Sequence, residues 1–160
     1  MRTKERKAIN DMRLWSKNMI DVLPRQQLCS QYCECCCIAK NLATNGTPNH
    51  LLVNKILDYP IGHFVKYTYD ICDEMSRRGY KISEKSLQNF QNNMIEYCGA
   101  DTYAYGLEDI FPQWHTPRYL YQCLMNLSEK YDCGGVSEQE WNVILNKFGD
   151  GLSEWYKEKR

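Results

Sequence analysis

The stretch MRLWSKNMIDVLPRQQLCSQYCECC, residues 12–36, decides the reading of this chain. Leu23-Pro24 opens a helix there, because proline is favoured at the first helical position, where its missing N–H had no partner anyway. The pattern carries the helix to about Ala43 and stops it at Asn45-Gly46, a turn and C-cap pair. Within it Cys29, Cys33, Cys36 and Cys37 fall at i, i+4, i+7 and i+8. That spacing sets them on one helical face, with Cys35 pointing elsewhere. Cysteine as a small buried apolar residue accounts for such a face. A metal site is the weaker reading, since one straight helix offers about two ligands to one ion.

Outward from this helix the pattern stays helical. Thr47-Pro48-Asn49 opens a short helix over about His50 to Asp58, and Pro60 starts the next. Phe64, Tyr67, Ile71 and Met75 recur at helical spacing as its buried stripe. It ends at Arg77-Arg78-Gly79, where cations meet the helix dipole. Ser83 caps a helix over about Glu84 to Tyr97, and residues 98–115 read as irregular. Thr116-Pro117 opens a helix through Tyr131, with Leu120, Cys123, Leu124 and Leu127 on one face and Gly134-Gly135 as its stop. Ser137-Glu138-Gln139-Glu140 is a capping box for the last helix. With no strand pattern, the expectation is an all-α, single-domain helical bundle over residues 12–160 with a C-terminal helical extension. Residues 1–11 read as a flexible polar arm.

A chain of 160 residues is long enough to bury a core. No apolar run approaches the roughly 18–20 residues of a membrane span, and the basic start lacks a signal-peptide core. A cytoplasmic location is therefore expected, with the nine cysteines reduced. Net charge is zero, but its distribution is not even. Residues 1–40 carry eight Lys/Arg against four Asp/Glu, and residues 91–160 carry six against eleven. A phosphate-binding surface, if the asymmetry is more than scatter, belongs to the N-terminal part.

Met12-Arg13-Leu14-Trp15, then Leu23-Pro24-Arg25-Gln26-Gln27-Leu28, then Gln31-Tyr32-Cys33-Glu34-Cys35 resemble the opening of bacterial members of the pyrimidine-dimer DNA glycosylase (endonuclease V) family. Those proteins begin M-R-L-W-H, continue L-P-R-Q-Q-L and then Q-H-R-E-C. His50-Leu51-Leu52 and the run from Glu74 to Lys81 are also similar to that family. The run from Arg118 to Gly135 resembles a C-terminal extension of its bacterial members.

The resemblance implies a repair glycosylase with apurinic-site lyase activity. It would use no cofactor or metal and act as a monomer on damaged double-stranded DNA. The family's nucleophile is a terminal α-amine, with a pKa near 8, that forms an imine with the deoxyribose. A carboxylate beside it stabilises the cationic sugar and moves protons. By position these roles fall on Arg13, or on Met12 where the methionine is kept, and on Glu34. DNA contacts fall on Arg25, Gln26, Gln27, His50, Arg77 and Arg78. For Arg77 and Arg78 a helix cap competes with that role, and for His50 a plain helix start does. No role attaches to His63 or His115. Trp155-Tyr156-Lys157 is similar to an aromatic–basic tail of the phage enzyme, although packing on a helix face explains it as well.

The chain departs from the pattern at Tyr32 and Cys33, where the family has histidine and arginine. A thiol cannot neutralise phosphate as a guanidinium does. Eleven residues also precede Met12, which separates a terminal amine at Met1 from Glu34 in sequence. Two functions therefore stand: the repair enzyme, or a non-catalytic DNA- or protein-binding relative that has lost the nucleophile.

Overall fold

The computed structural model describes residues 12–99 and 107–158, the last of these, from residue 150 on, by backbone alone. The arm expected over residues 1–11 lies outside the described residues, as do the side chains of Trp155, Tyr156 and Lys157. Five α-helices follow in order: α1 (Arg25–Asn45), α2 (Gly62–Arg77), α3 (Glu84–Cys98), α4 (Pro117–Asp132) and α5 (Glu138–Glu158). Two 3-10 helices, Lys17–Val22 and Asn54–Asp58, complete the set. The all-α expectation holds, with no strand among the described residues.

Helix α1 is bounded by proline and glycine. Pro24 (φ −54°, ψ 148°) occupies the N-cap, one position before the expected N1, and its carbonyl accepts the first helical bond from Leu28 N–H at 2.9 Å. Gly46 ends the helix in the left-handed region at φ 72°, its N–H donating to the Leu42 carbonyl. Between these caps, Leu28, Gln31, Tyr32, Cys35, Ile38, Ala39 and Leu42 are buried, a spacing of three and four residues throughout.

This corrects the reading of the cysteine face. Cys35 is the buried cysteine, Cys29 and Cys36 are partly buried, and Cys33 and Cys37 are exposed. The helix is rotated because Leu28, Ile38 and Leu42 bury more apolar surface than a row of thiols can. All nine cysteines are thiols outside any disulfide. Among the described residues no group of three or more His, Cys, Asp or Glu is arranged to hold a metal. No described helix is long and apolar enough to cross a membrane.

Helix α1 packs most extensively on α3 and next on α2. The stripe expected on α2 is the one observed: Phe64, Tyr67, Ile71 and Met75 are all buried. The expected helix over His50 to Asp58 begins late, at Asn54. Side chains capture the backbone before it, since Thr47 Oγ1 accepts from Asn49 N–H (3.1 Å) and Asn54 Oδ1 from His50 N–H (3.1 Å). Asn49 is left-handed at φ 58°, and residues 49–53 form a turn with Leu51 exposed and Val53 buried.

Residues 107–116 cross between α2 and α4 around Phe111, which is fully buried at φ 48°. A left-handed non-glycine residue costs about 1–2 kcal/mol. Its ring lies within 6 Å of Tyr59, His63, Trp114 and His115, and its N–H donates to His63 Nδ1 at 3.0 Å. Those contacts hold it there. The expected capping box of α5 forms by half: Ser137 Oγ accepts from Glu140 N–H (3.1 Å), while the Glu140 carboxylate accepts from the Ser137 hydroxyl (3.0 Å) rather than from its N–H. Glu140 also reaches a second helix. Its Oε2 accepts the otherwise orphan N–H of Arg25 at 2.7 Å, which docks the start of α5 on the start of α1.

Candidate active site

The site is built from one buried glutamine. Gln31 is fully buried on α1, so each of its polar atoms needs a partner. Trp15 N–H can only donate, and it points at Gln31 Oε1 at 2.7 Å, which fixes the orientation of the carboxamide. Nε2 then donates to the Arg13 carbonyl (2.9 Å) and to Glu34 Oε2 (3.1 Å). The Tyr67 hydroxyl lies 2.7 Å from the Trp15 carbonyl and 2.9 Å from Gln31 Oε1, its single proton shared between them. Tyr119 on α4 donates to the Leu14 carbonyl. Arg13, Leu14 and Trp15 thus form a segment without regular secondary structure, pinned by α1, α2 and α4, and the Gln31 amide bonds the carbonyl of its first residue and the Glu34 carboxylate together.

Glu34 flanks the buried face of α1 and is partly buried. Burial pushes its carboxyl up to about 7, against the opposing pull of the Arg13 charge and the Gln31 hydrogen bond. A carboxyl there exchanges its proton near neutral pH, which suits general acid–base work.

Arg13 also lines an open cleft of about 1320 Å³ between Leu52 and Lys55 on one side and α4 on the other. Lys55, Trp114, Arg118, Tyr119 and Tyr121 share its wall. The cations gather at the N-terminal end of α4. Arg118 is its second residue, the Lys55 charge acts on His115, and Arg13 acts on Tyr119 and Cys123. Glu129 and Asp132 line the other end. The cleft is therefore cationic towards one end of α4 and acidic towards the other.

Residues 12–88 match the family model of pyrimidine dimer DNA glycosylase. The match takes in the Arg13–Trp15 segment, all of α1 and α2, and the first turn of α3. Helices α4 and α5, and with them one wall of the cleft, lie beyond it. No curated protein and no solved structure matches the chain.

Of the residues singled out from sequence, Arg13 and Glu34 are brought together, and Met12 packs partly buried against the core. The others lie outside the cleft wall. Arg25 lays its guanidinium on the Tyr80 ring, 4.6 Å from the centroid. Gln26 is exposed, while Gln27 and His50 are partly buried. Arg78 is occupied internally, bonding Glu74 and the carbonyls of Ile20, Asp21 and Leu23, so it caps the Lys17–Val22 helix. Arg77 also pairs with Glu74 but is largely exposed. Sequence reasoning missed Gln31, Lys55, Trp114, Arg118 and Tyr119. For the aromatic pair the signal was present in Trp114 beside Thr116-Pro117. For Gln31 no local signal distinguishes a hub from a surface polar residue.

His63 and His115, given no role from sequence, are structural. His115 Nδ1 accepts from Lys17 N–H at 2.9 Å, so its neutral ring carries the proton on Nε2. Burial and the nearby Lys17 charge lower its pKa to about 3.

Proposed function

We propose that this protein is a DNA glycosylase with apurinic-site lyase activity on pyrimidine dimers or related damage. The observation that carries this reading is the Gln31 carboxamide, which bonds the Arg13 carbonyl and the Glu34 carboxylate at once. It holds the main chain of residue 13 next to a carboxyl that titrates near 7. The family match over residues 12–88 supports the same chemistry.

In this reading a neutral α-amine at Arg13, or at Met12, attacks C1′ of the damaged nucleotide. The glycosidic bond breaks and the base leaves with the bonding pair; the C1′–O4′ bond then opens, O4′ takes the proton that the nitrogen gives up, and the nitrogen is left in a protonated imine to C1′. The Glu34 carboxylate faces the cationic sugar and takes the proton from C2′, so that the 3′ phosphate leaves by elimination. Damaged double-stranded DNA is the partner, no cofactor enters, and the protein acts as a monomer. Arg25, Gln26, Gln27, His50 and Arg77 are proposed backbone contacts outside the cleft.

Borohydride trapping on abasic-site DNA tests this. A version beginning at Arg13 or Met12 is expected to give a covalent adduct, and Glu34→Gln is expected to slow strand cleavage by about 10²–10⁴-fold. No adduct from either version sinks the lyase activity. A second reading, a binding relative without chemistry, rests on the exposed thiol of Cys33 where the family has an arginine. It predicts salt-dependent duplex binding that Glu34→Gln leaves unchanged, and no adduct.

A further inference from the structure

Six large apolar side chains stand exposed among the described residues, and three of them, Leu51, Leu52 and Leu57, fall within seven positions. Leu51 is 85% exposed. Single exposed leucines are ordinary, but Leu51 and Leu52 side by side on one turn, with Leu57 on the short helix that follows, are not. This turn is also firmly built. Thr47 and Asn54 hold its two ends by side-chain bonds to the backbone, Asn49 takes the left-handed conformation, and the Val53 and Ile56 side chains anchor it in the core. The chain therefore presents Leu51 to solvent on a rigid support.

Its surroundings say what it meets. Leu52 lines the cleft together with Arg13, Lys55 and Arg118. Leu52 thus shares a cleft with three cations, and the two acids of its lining, Glu129 and Asp132, come from the C-terminal end of α4. The N-terminus of α4 adds its partial positive charge at the opposite end. A lipid surface or a protein groove would satisfy the leucines, but an apolar tip beside a cleft lined by cations and by the Trp114, Tyr119 and Tyr121 rings matches a duplex: phosphates on the cations, stacked bases on the apolar side chains. Proteins that kink DNA insert such side chains between base steps and recover the unstacking cost through added backbone contacts.

We infer that the turn at Leu51–Leu52 is an apolar wedge that enters a base step of duplex DNA while Arg13, Lys55 and Arg118 hold the flanking phosphates. The inference rests on the proposed DNA-processing function and adds to it the means of opening the stack. It also assigns α4, which lies beyond the matched segment, a direct part in holding the substrate. Arg13 joins the two regions, since it borders both the cleft and Glu34.

The test uses the full chain and a duplex holding a non-cleavable abasic-site analogue with 2-aminopurine beside it. Binding of the unaltered protein is expected to raise the 2-aminopurine emission as the base unstacks. The double variant Leu51→Ala/Leu52→Ala is expected to lose most of that rise and to bind roughly tenfold more weakly. Leu57→Ala, at a leucine as exposed as Leu52 but outside the cleft lining, should behave as the unaltered protein. Thermal melts guard against unfolding, which exposed positions are not expected to cause. A duplex that binds without any rise, or a rise that survives in the double variant, overturns the wedge and leaves the glycosylase reading standing. No duplex binding at low salt overturns both. Leucine-dependent binding to anionic phospholipid vesicles without duplex binding assigns the turn to a membrane surface instead and overturns the wedge as well.

Discussion

At the scale of single residues, Glu34 stores a conflict between stability and chemistry. Its carboxyl ordinarily titrates near 4.5 and in the fold is raised to about 7. Between those values the unfolded chain gives up the proton and the folded chain keeps it. Folding is therefore favoured at acid pH and penalised as pH rises from about 4.5 through 7. Glu34→Gln removes the penalty. Its melting temperature is expected to exceed that of the unaltered protein at pH 8, by about 1–3 kcal/mol of stability after allowance for solvent contact. The two should converge near pH 4. Equal melting curves at pH 8 would show that Glu34 is solvated and not poised. Gain of stability on removal of a site carboxyl is what a strained functional position predicts.

Among the secondary-structure elements, α1 shows what sequence discloses and what it hides. Its ends were legible, because Pro24 and Gly46 act through covalent geometry that neighbours cannot override. Gly46→Ala tests this. A methyl group meets nothing within 4 Å there, so space is no obstacle, yet φ is 72°. Urea unfolding should show a loss of about 1 kcal/mol, and an unchanged midpoint would mean the helix ends elsewhere. The rotation of α1 was misread. The spacing invites an apolar face through Cys29, Cys33, Cys36 and Cys37, whereas the core takes Leu28, Cys35, Ile38 and Leu42. Four intermediate-polarity thiols fit either face, and only the partners on α2 and α3 decide. The turn at 49–53 was hidden for a different reason: Thr47 and Asn54 compete for the backbone in a way that helical propensity does not anticipate.

Across the whole molecule, the site depends on segments far apart in sequence. Glu34 and Arg13 were legible through the motif at residues 12–36. The cleft was not, because its far wall comes from α4 and its tether runs through His63, Phe111 and His115. That tether makes the fold sensitive to acid. His115 is neutral in the fold, with a pKa near 3 against an ordinary 6.5. Below about pH 6.5 the unfolded chain takes up a proton that the folded chain refuses, so stability falls steadily from there towards pH 3. His115→Asn keeps an acceptor for Lys17 N–H and carries no titrating ring. Its stability should decline less steeply over that window, as read by denaturant unfolding at pH 4 and pH 7. Parallel declines in the two proteins would assign the acid sensitivity to other groups.

The Gln31 carboxamide sets a limit on how this protein can change over time. Its oxygen faces the Trp15 N–H, and its nitrogen serves the Arg13 carbonyl and Glu34 together. Glutamate at that position would have no amide protons to give, asparagine is one methylene too short, and leucine offers neither pole. No single substitution preserves all the bonds at once. Position 31 is therefore an evolutionary cul-de-sac: a lineage can leave it only by first dismantling the arrangement of Arg13, Trp15 and Glu34 that gives the site its shape.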